Sequence, residues 1–200
     1  MTGGKTSLLS LIFFTLFLLL FSPYAFSEGF GLNGPEEGIE DWNIVESSYA
    51  TIFIKKTIDL ASIARRIDVS FARYDPVEGQ LFFDKGISGE ERLANKIDII
   101  VRKVKRILDM YPQEFHINIR IYESDEELWD IYEKIFNERK EYKSFYIHKF
   151  HTIYISLPNI SESVLAHEIG HSIIDSYFTI LPPDKIRELL ACYVDVHLKD

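Results

Sequence analysis

Apolar positions change period several times along this chain, and each change predicts an element. Residues 115–122 (FHINIRIY) alternate strictly, with Phe115, Ile117, Ile119 and Ile121 on one face. That two-residue period predicts a half-buried strand. Residues 90–110 instead put Leu93, Ile97, Ile100, Val101, Val104, Ile107 and Leu108 in one stripe at helical spacing, and Tyr111-Pro112 stops the pattern. Lys96, Arg102, Lys103, Lys105 and Arg106 fall on the other side, a charge run that reads as a solvated face. Residues 45–54 (VESSYATIFI) are β-branched and aromatic and predict one strand. Residues 56–67 carry Ile58, Leu60, Ile63, Ala64 and Ile67 at helical spacing. Residues 71–88 contain Asp75-Pro76, Gly79 and Gly86 and read as loop.

The second half is patterned as clearly. Ser124 and Glu127 have capping-box spacing before a helix that runs to about Asn137. Residues 144–147 and 152–157 are short apolar runs that predict a hairpin with residues 148–150 at its tip. Pro158-Asn159 turns the chain into a helix ending near Tyr177, with Asn159 and Glu162 as its predicted cap pair. Leu181-Pro182-Pro183 breaks that helix, and Pro183-Asp184 opens a last one. This order predicts an α+β fold, a small mixed β-sheet packed on helices.

Composition narrows the picture. Two hundred residues, 46% of them hydrophobic, suffice for one domain with a proper core. A net charge of −9 gives a nucleic-acid partner no electrostatic support and favours cationic or neutral substrates. Cys192 is the one cysteine, so an intramolecular disulfide is excluded, and it reads as a small buried residue.

Lys5, the apolar run 8–21 and the small residues of Ala25-Phe26-Ser27 have the layout of a signal peptide over residues 1–27. The run is shorter than the roughly 20 residues a membrane span needs. A secreted or periplasmic protein is expected, membrane-anchored only if the segment stays uncleaved. Residues 28–44 are expected to form a glycine-containing, flexible lead-in, and residues 45–200 the folded domain.

The chemistry concentrates in His167-Glu168-Ile169-Gly170-His171, an H-E-x-x-H stretch inside the predicted helix. Residues four apart share a helix face, so His167 and His171 can hold one metal ion. Glu168 reaches the same ion from the flank and can take a proton from its water, the arrangement of a zinc hydrolase. Zn2+ needs a third protein ligand. Asp184, Glu188, Asp195 and His197 on the last helix are candidates. Glu188 is favoured, because an isolated carboxylate between apolar neighbours needs a cation. Asp195, two turns on, is placed to hydrogen-bond a ligand histidine.

H-E-I-G-H followed by Glu188-Leu189-Leu190-Ala191 on a second helix resembles the gluzincin zinc metallopeptidases, and its small, minimal members in particular. The likeness covers about residues 152–198. It lacks the third histidine of metzincins, since Tyr177 stands where that residue would be. The resemblance implies a zincin-like fold, a peptide or protein substrate, and residues 152–156 as the rim strand of the cleft. Its mechanism has Glu168 as base and His167, His171 and Glu188 on zinc. It also requires an oxyanion-stabilising donor, for which Tyr177, Tyr193, His148 and His151 are available. The competing class is a catalytically silent zincin-like binding module of the cell envelope.

Overall fold

A computed structural model describes residues 41–73 and 87–200, together with the backbone of Phe30–Gly31 and Gly34–Pro35, which pair antiparallel with each other. The predicted signal segment, most of the lead-in and residues 74–86 of the predicted loop lie outside the described residues.

Five strands form one mixed sheet. β1 (Trp42–Glu46) and β2 (Ala50–Lys55) are an antiparallel hairpin. β3 (Ile117–Tyr122) runs parallel to β2. β4 (Ser144–Ile147) and β5 (Thr152–Ser156) form a second antiparallel hairpin, and β5 runs parallel to β3. The order is therefore β1-β2-β3-β5-β4, with β4 at one edge.

The first hairpin corrects the single strand expected over residues 45–54. Ser47 breaks it: its hydroxyl accepts from Ala50 N at 2.9 Å while its amide donates to Ala50 O at 2.8 Å. A side chain that bonds the backbone within three residues makes a turn. The pairing also begins at Trp42, inside the expected lead-in.

Among the described residues, five helices flank the sheet: α1 (Leu60–Arg66), α2 (Gly89–Leu108), α3 (Asp125–Phe136), α4 (Glu162–Tyr177) and α5 (Asp184–His197). On one face, Ile52, Ile54, Ile117, Ile119, Ile121, Ile153 and Ile155 join Leu93, Ile97, Ile100, Leu165, Ile169 and Ile173 in the main core. On the other, α3 covers an aromatic layer of Trp42, Tyr122, Phe150 and Tyr154 through Leu128, Ile131 and Ile135. Helices on both faces bury the parallel strands twice over. So β3 is not half-buried, as its alternation predicts: Arg120 and Tyr122 on its second face are buried too. The Arg120 guanidinium lies over the Trp42 and Phe53 rings, at 5.2 and 5.0 Å.

Four local expectations need correction. The basic side of α2 is not simply solvated. Lys96 donates to Ala64 O at 2.6 Å, and Lys105 lies buried against the Tyr49 and Phe115 rings. Asn159 and Glu162 do not cap α4. Ser161 does, accepting from Val164 N at 3.3 Å. Asn159 Nδ2 instead donates to Asp125 Oδ1 at 2.7 Å, and Glu162 accepts from Asp68 N and pairs with Lys199 at 3.0 Å. Cys192 is exposed, because α5 packs inward through its neighbours Ala191 and Val194. Ser124 caps α3 as expected, but Glu127 accepts from Glu123 N rather than from Ser124.

The α4–α5 contact matters most for the chemistry. Gly170 on α4 faces Ala191 and Val194 on α5, so the two helices lie close side by side. Among the described residues no helix is long and apolar enough to cross a membrane.

Candidate metal centre

α4 carries its apolar residues, Leu165, Ala166, Ile169, Ile173 and Ile174, into the core. That orientation turns His167 and His171 toward α5 and Glu168 toward β4. The two imidazoles point their Nε2 atoms at each other, 3.3 Å apart. Glu188 on α5 brings Oε1 to 3.4 Å from His171 Nε2 and Oε2 to 3.8 Å from His167 Nε2. Among the described residues this is the one group of three whose donor atoms converge in this way.

The spacing can be tested against metal geometry. Nitrogen and oxygen ligands about 2.0–2.1 Å from a tetrahedral ion stand roughly 3.3–3.4 Å from one another. The two imidazole nitrogens have that separation, and so do His171 Nε2 and Glu188 Oε1; His167 meets the other carboxylate oxygen, at 3.8 Å, so the carboxylate has to turn to offer one oxygen to an ion held by both histidines. The donor set is also right in kind. Asp195 Oδ2 lies 2.9 Å from His167 Nδ1. An ionised carboxylate only accepts, so Nδ1 carries the proton and Nε2 keeps its lone pair for a cation. Burial pushes the His171 imidazole below the usual histidine value, against the pull of Glu188. It is therefore neutral, the form that ligates.

Glu168 is the buried member. Burial raises its carboxyl above the usual range, opposed by the hydrogen bond from Ser144 and by His167. Ser144 Oγ donates to Glu168 Oε1 at 2.7 Å. Glu188 is the reverse case. Its side chain is 61% exposed, so the expectation that apolar neighbours force a cation on it fails, although its carboxylate does approach both histidines. Leu189 beside it is itself exposed.

The remaining third-ligand candidates are engaged elsewhere. Asp184 accepts from Arg187, and His197 pairs with Asp200 at 2.6 Å. The residues available as oxyanion donors do not gather at the centre. Tyr177 and Tyr193 are exposed. His148 contacts Asp175, and His151 lies 4.0 Å from the same carboxylate.

A cleft of about 430 Å³ opens over the centre, walled by Ser144, Phe145 and Tyr146 of β4 on one side and by Arg187 and Glu188 of α5 on the other. This overturns the rim strand expected at residues 152–156. β5 is internal, hydrogen-bonded to β3 and β4 on its two edges, and the strand at the cleft is β4. Ser144 and Tyr146 escape the sequence reading because only strand order brings β4 to the cleft, and Arg187 because it stands beside Glu188. Tyr146 donates to the fully buried Asp175 at 2.7 Å, and burial with that bond holds its phenol protonated far above the usual value.

No family model, no curated protein and no solved structure matches this chain. What it does has to be argued from the site.

Proposed function

We propose that the chain is a zinc-dependent metallopeptidase of the gluzincin kind, with a zincin-like fold, exported by its N-terminal segment. The observation that carries this is the convergence of His167 Nε2, His171 Nε2 and the Glu188 carboxylate within 3.3–3.8 Å, with a buried carboxylate one residue from the first histidine.

His167, His171 and Glu188 would hold Zn2+, which would supply a Lewis acid that lowers the pKa of a water to about 7. Glu168 is the general base. Its carboxylate would take a proton from a water attacking a peptide carbonyl and return it to the leaving amine. Ser144 aims the carboxylate, and Asp195 fixes the His167 tautomer. β4 has a sheet neighbour on one side only, so its other edge can hydrogen-bond an extended peptide along the cleft.

The test is zinc content of the full chain beside Glu188→Ala, followed by hydrolysis of a mixed peptide library by wild type and Glu168→Gln. We expect one zinc per chain, lost or sharply weakened in Glu188→Ala, and cleavage that Glu168→Gln abolishes while keeping its zinc. Zinc without cleavage would support the silent binding module instead. No zinc in either protein would overturn the proposal.

A further inference from the structure

The cleft contains a guanidinium to which the chemistry above gives no task. Arg187 stands one residue before Glu188 and lines the same cleft as His167, Glu168 and His171. It faces the cleft from α5, across from Ser144, Phe145 and Tyr146 of the edge strand.

Its hydrogen bonding is incomplete. A terminal nitrogen donates to Asp184 Oδ1 at 2.5 Å, while Nε is enclosed with no acceptor. A guanidinium has five N–H donors in a fixed fork. Asp184 is 88% exposed, and such a pair contributes little. The helix gains nothing either, since a cation this near the N-terminus of α5 opposes the macrodipole. The nearby carboxylates are committed elsewhere: Glu168 to Ser144, and Glu188 to the two histidines.

We propose that Arg187 binds a carboxylate of the substrate, so that the enzyme takes peptides with a carboxylate close to the scissile bond. A carboxylate fits the guanidinium fork through two parallel hydrogen bonds. The overall charge of −9 points to cationic or neutral substrates, but it acts at long range and is screened, whereas Arg187 acts at contact. The carboxylate comes from a peptide C-terminus or from an Asp or Glu side chain. The inference rests on the peptidase reading, and it deepens it by naming the substrate class.

The first readout needs neither zinc nor hydrolysis. In the metal-free full chain labelled with nitrogen-15, the Arg187 Nε–H resonance is identified by its loss in Arg187→Gln. Three probes are titrated: acetylated trialanine as free acid, the same peptide as amide, and that amide with glutamate as last residue. A shift with the free acid but not with the plain amide supports a C-terminal carboxylate. A shift with the glutamate amide but not with the plain amide supports an acidic side chain. No shift, or equal shifts with all three, overturns the proposal.

The second readout is hydrolysis by the zinc-loaded chain. Arg187→Gln should raise KM for carboxylate-bearing peptides about 10- to 100-fold, the loss expected for hydrogen bonds to a charged group. Equal KM values for acid and amide in wild type would overturn the inference and leave the peptidase standing. A resonance that shifts in a chain that cleaves nothing would keep the carboxylate site and remove the peptidase.

Discussion

Asp195 Oδ2 sits 2.9 Å from His167 Nδ1, and the opposite nitrogen of that ring is 3.8 Å from Glu188. One imidazole thus lies between two carboxylates from α5, and in the proposed centre one would orient it and the other would share its metal ion. Asp195→Asn keeps the shape but can offer its amide nitrogen, which favours the wrong tautomer. Zinc affinity should fall about 10- to 100-fold, the usual cost of losing such a partner. Competition against a zinc chelator measures it. The metal-free melting temperature should hardly move, because the Asp195 side chain is partly exposed. Unchanged affinity would make Asp195 an ordinary surface partner.

Burial holds the Glu168 carboxyl above its ordinary value, and Ser144 opposes the shift. A group that binds its proton more tightly when folded stabilises the fold below its unfolded pKa. That margin is lost as pH rises through the folded value. In the chelated, metal-free chain, Glu168→Gln should therefore melt higher than wild type at pH 7. The difference should vanish below pH about 4, where both states are protonated. Ser144→Ala should go the other way, costing about 1 kcal/mol at pH 7 through the lost hydrogen bond. Thermal melts at the two pH values decide both signs.

Much of the fold was legible because periodicity reports burial. The α2 stripe and the β4–β5 hairpin with its tip at residues 148–150 stand where the pattern puts them. Periodicity cannot say what covers a polar-looking face, and Arg120 and Tyr122 are buried only because α3 lies over their side of the sheet. Spacing alone brings His167 and His171 together, since four residues make about one helical turn. Glu188 is a different case. It meets them only because Gly170 and Ala191 let two helices lie close, and the burial argued for it in sequence is absent. Ser144 could not be found at all: its role depends on β4 being the edge strand, a fact of strand order that no local pattern encodes.

Lys96 shows how unequal the charges of one helix face are. Its ammonium donates to the carbonyls of Ala64 and Ile67 at the C-terminal end of α1, and burial lowers its pKa. A cation there answers backbone acceptors the helix leaves open. Lys96→Met keeps the apolar stem and removes the donor. It should cost about 1–3 kcal/mol, whereas the exposed Arg92→Ala, one turn earlier, should stay within about 0.5 kcal/mol. Urea midpoints of the two variants give the comparison, and equal values would return Lys96 to the solvated face.

Gly170 separates the tolerance of the helix contact from that of the metal centre. A methyl group built there would meet Val194 Cγ2 at 3.6 Å and Ala191 Cα and Cβ at 3.8 and 4.0 Å. Those are ordinary contact distances, so the approach of α4 to α5 has room for one carbon. Gly170→Ala should therefore stabilise the fold by about 0.5–1 kcal/mol, by removing the glycine penalty inside a helix. Zinc affinity should be unchanged. Gly170→Leu has no such room and must push α5 outward, carrying Glu188 away from the imidazoles it now meets at 3.4 and 3.8 Å. Its affinity for zinc should fall further than its metal-free stability does, because most of the core lies on other elements. Melting and chelator competition on both variants test this. A destabilised Gly170→Ala would mean that the two helices approach closer than one methyl group allows.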